Sequence, residues 1–230
     1  MNKPKEKNKD VMDNSQSVTV MSCGVEEIDG NDLGPVPTKP IYTFAKRAFD
    51  LLVSATALIV LALPMLVIAL LIRLSSPGPA IFRQKRMGQN GRPFVIYKFR
   101  TMRFDAPSDM AAREFRDSHQ YITGIGAILR RTSMDELPQL LNVLVGQMSI
   151  VGFRPVCLTE TKLNALRDEY GVFLTKPGIT GYAQVLGRDH LTVERKALLD
   201  AEYARKRSIG LDIWCLFKTV STVFTGEGVM

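Results

Sequence analysis

The stretch LLVSATALIVLALPMLVIALLI, residues 51–72, contains no charged residue over 22 positions, and 14 of them are Leu, Ile or Val. As a helix it reaches about 33 Å, enough to cross a hydrocarbon layer of roughly 30 Å. A buried core helix is the alternative, but a helix this long and apolar on every side is uncommon in a soluble domain. We therefore predict a membrane-inserted element over residues 42–73.

Basic residues flank this stretch on both sides, with Lys46 and Arg47 before it and Arg73 and Arg83 after it. The positive-inside rule draws both ends to the cytoplasmic face, which a straight span does not satisfy. Pro64 lies near the middle and, because it lacks an N–H, kinks or breaks a helix. A single kinked span and a helix that breaks at Pro64 and returns to the same face both remain open.

Charge and composition limit the classes of partner. Residues 1–50 carry 7 Lys/Arg and 8 Asp/Glu, whereas residues 51–230 carry 23 and 15. The basic part suits phosphates or anionic lipid, and without a recognisable binding motif nucleic acid is not an expected partner. Three separated cysteines indicate no disulfide framework. With only two histidines, any metal is expected to be a hard ion bound by oxygen.

The periodicity predicts an α+β fold dominated by helices. We divide the chain into a flexible polar tail (1–41), the membrane element (42–73), a cytoplasmic domain (74–224) and a C-terminal tail (225–230). Two short strands around the Asn90-Gly91 turn predict a small β-hairpin. Residues 107–131 are predicted to be helical with a turn at Gly124–Gly126, and residues 176–188 to be a loop.

Three further segments have the spacing of amphipathic helices. Leu137, Leu140, Leu141 and Leu144 predict one that Gly146 ends. Residues 191–208 predict a second, charged helix. The last runs over residues 213–224, where Ile213, Leu216, Phe217 and Val220 form one apolar stripe. That stripe fits either the protein core or a helix lying in the membrane interface.

The stretch RRTSMDELPQLLNVLVGQMSIVGFRP, residues 130–155, sets two adjacent carboxylates, Asp135 and Glu136, among three arginines. Three interpretations compete. In the first, the acids only begin a helix, because Ser133 and Glu136 have the spacing of a capping box. In the second, the basic residues only form a solvated face. Alternatively, the whole set holds a phosphorylated substrate and a metal ion.

Pro138 favours the third interpretation. Proline fits best at the first position of a helix, so Asp135 and Glu136 are predicted just outside it, projecting from its positive end. Neighbouring arginines would keep both acids ionised. An ionised carboxylate can bind Mg²⁺ or attack phosphorus, and Arg can hold two phosphate oxygens. From spacing alone, a phosphate-handling site remains one of the open interpretations.

An ordered set of motifs resembles the bacterial sugar transferases, which are small monotopic polyprenyl-phosphate phosphoglycosyl transferases. The matching pieces are KRAFD, the mid-helix Pro64, SPGPAIFRQKRMGQNGRPFVIYKFRTM, LRRTSMDELPQLLNVLVGQMSIVGFRP, KPGITGYAQVLGR and SIGLDIWCLFKTV. They span residues 42–222 in the family's order. The ordered set is far more specific than any one of its pieces.

The resemblance implies transfer of a sugar-1-phosphate from a UDP-sugar to a polyprenyl phosphate such as undecaprenyl phosphate, with release of UMP. It implies Mg²⁺, with Mn²⁺ as a substitute, and a covalent phosphosugar intermediate on Asp135. It also implies a re-entrant helix broken at Pro64 in the bacterial inner membrane, with the catalytic domain (74–224) facing the cytoplasm. The oligomeric state stays open, with a homodimer as one alternative.

The resemblance also suggests the other site residues. Glu136 matches the acid assigned to the metal, and Arg154 matches the arginine of a G-P-R-P turn that grips phosphate. Four residues match basic, substrate-binding positions: Arg130, Lys98, Arg100 and Arg188. Asp200 and Asp212 match acidic positions near the C-terminus.

One departure from the family pattern concerns the turn that carries Arg154. G-P-R-P reads Gly152-Phe153-Arg154-Pro155 here, so φ is freed at position 153 and the turn is expected to loosen. An inactive membrane-anchored scaffold of the same fold is therefore the alternative to an active enzyme.

Overall fold

The computed structural model describes residues 33–106, 118–187 and 190–225, and these form an α+β fold dominated by helices. The helices are α1 (Pro40–Val60), α2 (Ala62–Ser75), α3 (Ser118–Tyr121), α4 (Gly124–Arg131), α5 (Gln139–Leu144), α6 (Thr161–Glu169), α7 (Tyr182–Leu186), α8 (Val193–Lys206) and α9 (Ile209–Thr225). The strands are β1 (Ile81–Met87), β2 (Pro93–Phe99), β3 (Ser149–Val151) and β4 (Gly178–Thr180). The predicted fold class is confirmed in this coarse form.

The apolar stretch forms two helices, α1 and α2, that meet at Leu61 and are bent by 62°. Pro64 explains the position of the break, because it cannot donate to Val60 and its ring crowds that carbonyl. Hydrogen bonding resumes where the Met65 N–H donates to Leu61. Within the described residues, no single helix meets the length and apolarity needed to cross a membrane, whereas this bent pair meets them together.

The bent pair is tied to the rest of the protein at both ends. On α1, Arg47 donates to the carbonyls of Val143 and Leu144, and Asp50 accepts from the Ile150 N–H at 3.0 Å. At the far end, Arg100 holds α2 by donating to the carbonyls of Ser76 and Pro77, just beyond its last residue. Both arms therefore have a fixed relation to the domain.

Much of the bent pair remains exposed although it is apolar. The most exposed side chains on it include Ile59, Val60, Leu63, Leu66, Leu70 and Leu74. Val53 and Ala57 pack instead on the main core, which contains Ile96, Val143 and Met148. Exposed apolar side chains concentrated on one element are of the kind that marks an interaction site.

β1 and β2 form the predicted antiparallel hairpin, with Ile81 paired to Phe99 and Met87 to Pro93. Asn90 and Gly91 have φ values of 56° and 66° at the turn. Asn and Gly tolerate this left-handed conformation, which short hairpin turns require. The hairpin prediction is therefore confirmed, including its turn residues.

The predicted turn at Gly124–Gly126 is wrong, because α4 begins at Gly124 and runs through both glycines. Thr123 caps α4 by accepting from the Gly126 N–H. A Cβ on Gly126 would lie only 2.0 Å from the Thr101 carbonyl oxygen. Gly126 therefore allows the backbones of α4 and Thr101 to approach closely. From the sequence, the same glycine was interpreted as a turn residue. The rest of that predicted helix, residues 107–117, lies outside the described residues.

The predicted loop over residues 176–188 is also wrong, because it contains β4 and α7. β4 pairs in parallel with β3, with Ser149 opposite Gly178 and Val151 opposite Thr180. Strands of three residues carry too little alternation to be recognised from sequence. This small sheet leads from β3 directly into the Gly152–Pro155 turn.

The three predicted amphipathic helices are confirmed as α5, α8 and α9. In α9, Ile213, Phe217 and Val220 are exposed, whereas Asp212 and Cys215 are buried. The core alternative for the apolar stripe is therefore wrong for these three residues. Leu216 alone in the stripe packs against the core.

Of the predicted N-terminal tail (1–41), residues 33–39 lie against the C-terminal end of α8, and Pro40 and Ile41 already belong to α1. Arg205 and Arg207 donate to the carbonyls of Gly34 and Pro37, and Lys39 donates to the carbonyl of Arg207. Residues 1–32 and 226–230 lie outside the described residues.

Candidate functional site

Asp135 and Glu136 lie in a one-turn 3-10 helix, Met134–Glu136, between α4 and α5. Pro138 precedes the first residue of α5, so both acids stand outside that helix, as predicted. Ser133 adopts a left-handed conformation, with φ of 55°, and its side chain makes no capping hydrogen bond. The capping-box interpretation is therefore wrong, and helix initiation does not account for the two acids.

Two cations converge on Glu136. Lys98, from β2, lies 2.6 Å from Glu136 Oε1, and Arg154 Nη2 lies 3.0 Å from the same oxygen. Lys98 also lies 3.8 Å from Asp135 Oδ2. The two acids and Lys98 are largely buried, while the side chain of Arg154 is 46% exposed. Three separate segments of the chain thus bring two carboxylates and two cations together.

The two carboxyl groups have pKa values displaced in opposite directions. Burial raises the pKa of Glu136, but Arg154 and Lys98 outweigh burial and lower that pKa to about 2. At Asp135 burial prevails and raises the pKa, with Lys98 opposing it and Glu136 adding repulsion. Adjacent carboxyl groups with divergent pKa values are a frequent property of catalytic sites.

The turn that carries Arg154 is closely packed. A Cβ on Gly152 would lie 2.3 Å from the Lys176 carbonyl oxygen, so only glycine fits there. Phe153 is 1% exposed and packs edge-on against Phe173, with ring centroids 5.5 Å apart. Burial of the Phe153 ring opposes the loosening that is expected from the missing proline.

Among the other predicted basic residues, the structure separates Arg130 from Arg100. Arg130 Nε donates to Thr101 Oγ1 at 2.9 Å, and the nearby Asp135 partly offsets the lowering of its pKa by burial. Arg100 is buried and donates to the carbonyls of Ser76 and Pro77, beyond the end of α2. Arg130 therefore lies close enough to Asp135 to interact with it electrostatically, whereas Arg100 contacts the end of α2 instead of the two acids.

Asp200 and Asp212 each lie in a separate ion pair away from the two acids. Asp200 accepts from Arg167 at 2.6 and 2.9 Å, and both side chains are almost completely buried. Asp212 accepts from Lys46, Tyr42 and Tyr203. The latter network joins α1, α8 and α9. Arg188 lies outside the described residues.

Sequence reasoning missed two arginines near the turn. Arg167, on α6, donates from Nη1 to the carbonyl oxygen of Arg154 at 2.9 Å. Arg86, on β1, is half-buried, and its Nη1 lies 3.5 Å from the Pro155 carbonyl oxygen. Burial lowers the pKa of Arg86, and the proximity of Arg154 lowers it further. No motif gave a signal for Arg167, and within the matching piece that begins SPGPAIFRQKRMG nothing distinguished Arg86 from its basic neighbours.

The donor set fits a metal only when a substrate contributes ligands. Within residues 33–106, 118–187 and 190–225, no three His, Cys, Asp or Glu residues cluster as a metal site. Asp135 and Glu136 nevertheless supply two adjacent carboxylates. Mg²⁺ is commonly held by one or two carboxylates together with substrate phosphates. The chemistry of the two acids therefore fits Mg²⁺ arriving with a phosphorylated substrate.

Comparison with known proteins identifies the class. The model of the family described as bacterial sugar transferase matches residues 41–226, and the chain belongs to this family. The match covers every group of the site described above, including the bent helix pair and the turn around Arg154.

Three relatives illustrate the likeness. The UDP-glucose:undecaprenyl-phosphate glucose-1-phosphate transferase of Escherichia coli (strain K12) is 37% identical in an alignment 218 positions long that covers 90% of this chain and 47% of that protein. A UDP-N-acetylgalactosamine-undecaprenyl-phosphate N-acetylgalactosaminephosphotransferase of Aeromonas hydrophila is 36% identical over 89% of this chain and 49% of its own. The exopolysaccharide production protein PSS of Rhizobium leguminosarum bv. phaseoli is 41% identical over 80% of this chain and 97% of its own.

The relatives fall into two lengths. The chain spans about half the length of the Escherichia coli and Aeromonas hydrophila proteins and nearly all of PSS.

Proposed function

We propose that this protein transfers a sugar-1-phosphate from a UDP-sugar to a polyprenyl phosphate, with release of UMP. The observation that carries the proposal is the juxtaposition of Asp135, with a raised pKa, and Glu136, held by Lys98 and Arg154. Relatives named as undecaprenyl-phosphate sugar-phosphate transferases support the substrate class. The reaction would begin assembly of an exopolysaccharide or related glycan.

In the first half of the proposed reaction, an Asp135 carboxylate oxygen attacks the sugar-bearing phosphorus of the UDP-sugar. A new O–P bond forms, the bond from phosphorus to the bridging oxygen breaks, and UMP leaves with its electron pair. Arg154 and Lys98 are placed to neutralise charge on the phosphate oxygens, where Arg offers two parallel N–H donors. In the second half, a phosphate oxygen of the polyprenyl phosphate attacks the same phosphorus and releases the Asp135 carboxylate.

We infer that Glu136 would hold Mg²⁺ when the substrate phosphates are present, which leaves Asp135 free as the nucleophile. The ion would supply charge neutralisation at the diphosphate, and Mn²⁺ could replace it. The low pKa of Glu136 keeps its carboxylate ionised across the physiological range. A carboxylate that never protonates under working conditions suits a metal ligand better than a proton carrier.

A panel of UDP-sugars tests the proposed function. Purified protein, Mg²⁺ and polyprenyl phosphate are incubated with each donor, and UMP is measured. One or more donors should yield UMP, and the lipid product should carry the sugar and one extra phosphate. A folded protein that releases no UMP from any donor would favour the inactive scaffold instead.

The acid side of the pH profile gives a second test. The single-turnover rate of UMP release should fall as the pH drops through the raised pKa of Asp135, above the ordinary value of about 3.9. Lys98→Met should move the midpoint to higher pH, because Lys98 lowers that pKa. A rate that shows no fall on the acid side, in wild type and in Lys98→Met alike, would contradict nucleophilic use of Asp135.

We also propose that α1 and α2 enter and leave the bilayer on the cytoplasmic side, with the catalytic domain in the cytoplasm of a bacterial cell and α9 lying on the inner membrane. The 62° bend at Leu61, the exposed apolar surface and the basic flanks support this topology. The exposed stripe Ile213, Phe217 and Val220 gives α9 an apolar face for the interface.

Replacing Pro64 tests the topology. A Thr43→Cys reporter in a Cys23→Ser background should resist an impermeant thiol reagent added outside intact cells. Pro64→Leu should let the two helices join into one span, so the reporter becomes reactive from outside. Efficient external labelling without the Pro64 change would contradict the hairpin. Labelling in lysed cells provides the control for reactivity.

A further inference from the structure

The Gly152–Pro155 turn is held by contacts on each of its residues before Arg154. Val151, preceding it, accepts at its carbonyl from Tyr203, the Gly152 N–H donates to Thr180, and the Phe153 carbonyl accepts from the Gly178 N–H. The carbonyl of Arg154 accepts from the Arg167 side chain at 2.9 Å. The position of the Arg154 backbone is thus linked to Arg167.

Arg167 is itself immobilised on three sides. Its Nε and Nη2 both donate to Asp200 Oδ2, which leaves Nη1 directed at the Arg154 carbonyl. Its guanidinium lies over the Phe153 ring, 5.2 Å from the ring centroid. Only a planar guanidinium can make this set of contacts at once, since the lysine ammonium lacks the fork.

Burial of the Arg167–Asp200 ion pair costs hydration energy. We therefore expect the pair to orient neighbouring groups more than it stabilises the fold. Burying an Arg–Asp pair removes two charges from water, and the attraction regained seldom gives a large net gain. Here the pair is 3% and 2% exposed, so nearly all hydration is lost. The Arg167–Asp200 pair fixes the direction of Arg167 Nη1. It therefore fixes the position of Arg154, which contacts Glu136.

We propose that Phe153, Arg167 and Asp200 form a positioning unit that fixes Arg154 for the reaction. This inference rests on the proposed function, because it gives Asp200 and Phe153 roles in that same site. Asp200 orients Arg167, Arg167 holds the Arg154 backbone, and Phe153 covers the guanidinium while filling the space beside Phe173. None of the three is a catalytic residue, since each acts through Arg154.

The substitution that probes the unit is Arg167→Lys, which keeps a positive charge beside Asp200 but removes the fork. It should lower kcat for UMP release by about tenfold, because small displacements of a charge-stabilising group carry rate penalties of that order or larger. The matched control is Arg205→Lys. Arg205 also donates to backbone carbonyls, those of Gly34, Tyr170 and Ala201, but outside the turn. Its variant should keep kcat within about twofold of wild type.

A double-mutant cycle separates positioning from a general structural role. In an Arg154→Ala background, Arg167→Lys should change kcat by less than about twofold, because the group that it positions is gone. An equal tenfold loss in both backgrounds would overturn the proposal, as would no loss in either. Phe153→Leu gives an independent cycle if Arg167→Lys fails to fold. It should lower kcat about threefold in wild type and leave the Arg154→Ala protein unchanged.

Backbone hydrogen exchange tests the unit without relying on activity. A peptide covering residues 151–156 should take up deuterium faster in Arg167→Lys than in wild type, and at the wild-type rate in Arg205→Lys. Unchanged uptake in Arg167→Lys would overturn the positioning unit. A wild-type protein that releases no UMP would overturn the proposed function, and the exchange comparison would still decide whether Arg167 fixes the turn.

Discussion

Replacing Asp135 with Asn is expected to abolish UMP release in the absence of the lipid acceptor. Wild-type protein mixed with its UDP-sugar and Mg²⁺ should release up to about one UMP per site, because the covalent half-reaction needs no acceptor. Asp135→Asn should lower this by at least about 10³-fold, since a neutral amide is a poor nucleophile and the covalent route is lost. The 3-10 helix Met134–Glu136 should persist, because Asn closely matches Asp in size.

Rapid mixing with acid quench measures both products of this half-reaction. UMP is quantified in the supernatant, and intact-protein mass should rise by one phosphosugar. Acid quench matters because an acyl phosphate is labile. Asp168→Asn serves as a matched control, because Asp168 is exposed on α6 and its variant should behave as wild type.

A direct transfer through a ternary complex would give the opposite pattern. No UMP would form without acceptor, no adduct would be detected, and initial-rate plots would intersect instead of running parallel. Asp135 would then act as a general base toward the lipid phosphate. That result would contradict the covalent mechanism while leaving the proposed transfer reaction in place.

Replacing Arg154 with Ala is expected to give the second-largest loss, about 10- to 100-fold in kcat. A charge-assisted contact to phosphate contributes roughly 1.5–3 kcal/mol, which corresponds to that range of rate. Arg154→Lys should recover only part of the loss, because an ammonium cannot offer two parallel donors. The fold should be retained, since the Arg154 side chain is 46% exposed and Lys98 still pairs with Glu136.

Steady-state kinetics with saturating UDP-sugar and lipid measure the loss in kcat. Lys162→Ala provides the comparison, because Lys162 forms an exposed ion pair with Glu194 and such pairs contribute little. If Arg154→Ala and Arg154→Lys both turn over at the wild-type rate, the contact between Arg154 and Glu136 serves only the structure.

The sequence predicted those parts of the fold whose signals are local. Pro64 marked the break between two apolar helices, Asn90-Gly91 marked the hairpin turn, and the leucine spacing marked α5. The short parallel strands β3 and β4 gave no comparable signal. Their pairing depends on backbone contacts between distant segments, which no local period encodes.

The prediction of the site shows the same limit. Adjacent acids and nearby arginines drew attention to residues 130–155, where the structure brings Asp135, Glu136 and Arg154 close together. No local pattern separated Lys98, on β2, from Arg100, which follows it. The structure directs Lys98 to Glu136 and Arg100 to the end of α2. Likewise, Asp200 was expected near the site, but its action through Arg167 required the packing of α6 against α8. Which partner each charged side chain contacts therefore depends on the tertiary fold and not on the local sequence.

The ties on the two arms of the bent helix pair have a consequence for the lipid substrate. Arg47 and Asp50 join α1 to α5 and β3, and Arg100 joins β2 to the end of α2. If α1 and α2 insert into a bilayer as proposed, these attachments would fix the height of Asp135 above the inserted part of the two helices. A flexible linker would not fix this height. An acceptor would have to raise its phosphate to that one height. Transfer should therefore respond to bilayer thickness, falling when acyl chains are lengthened or shortened at constant headgroup composition.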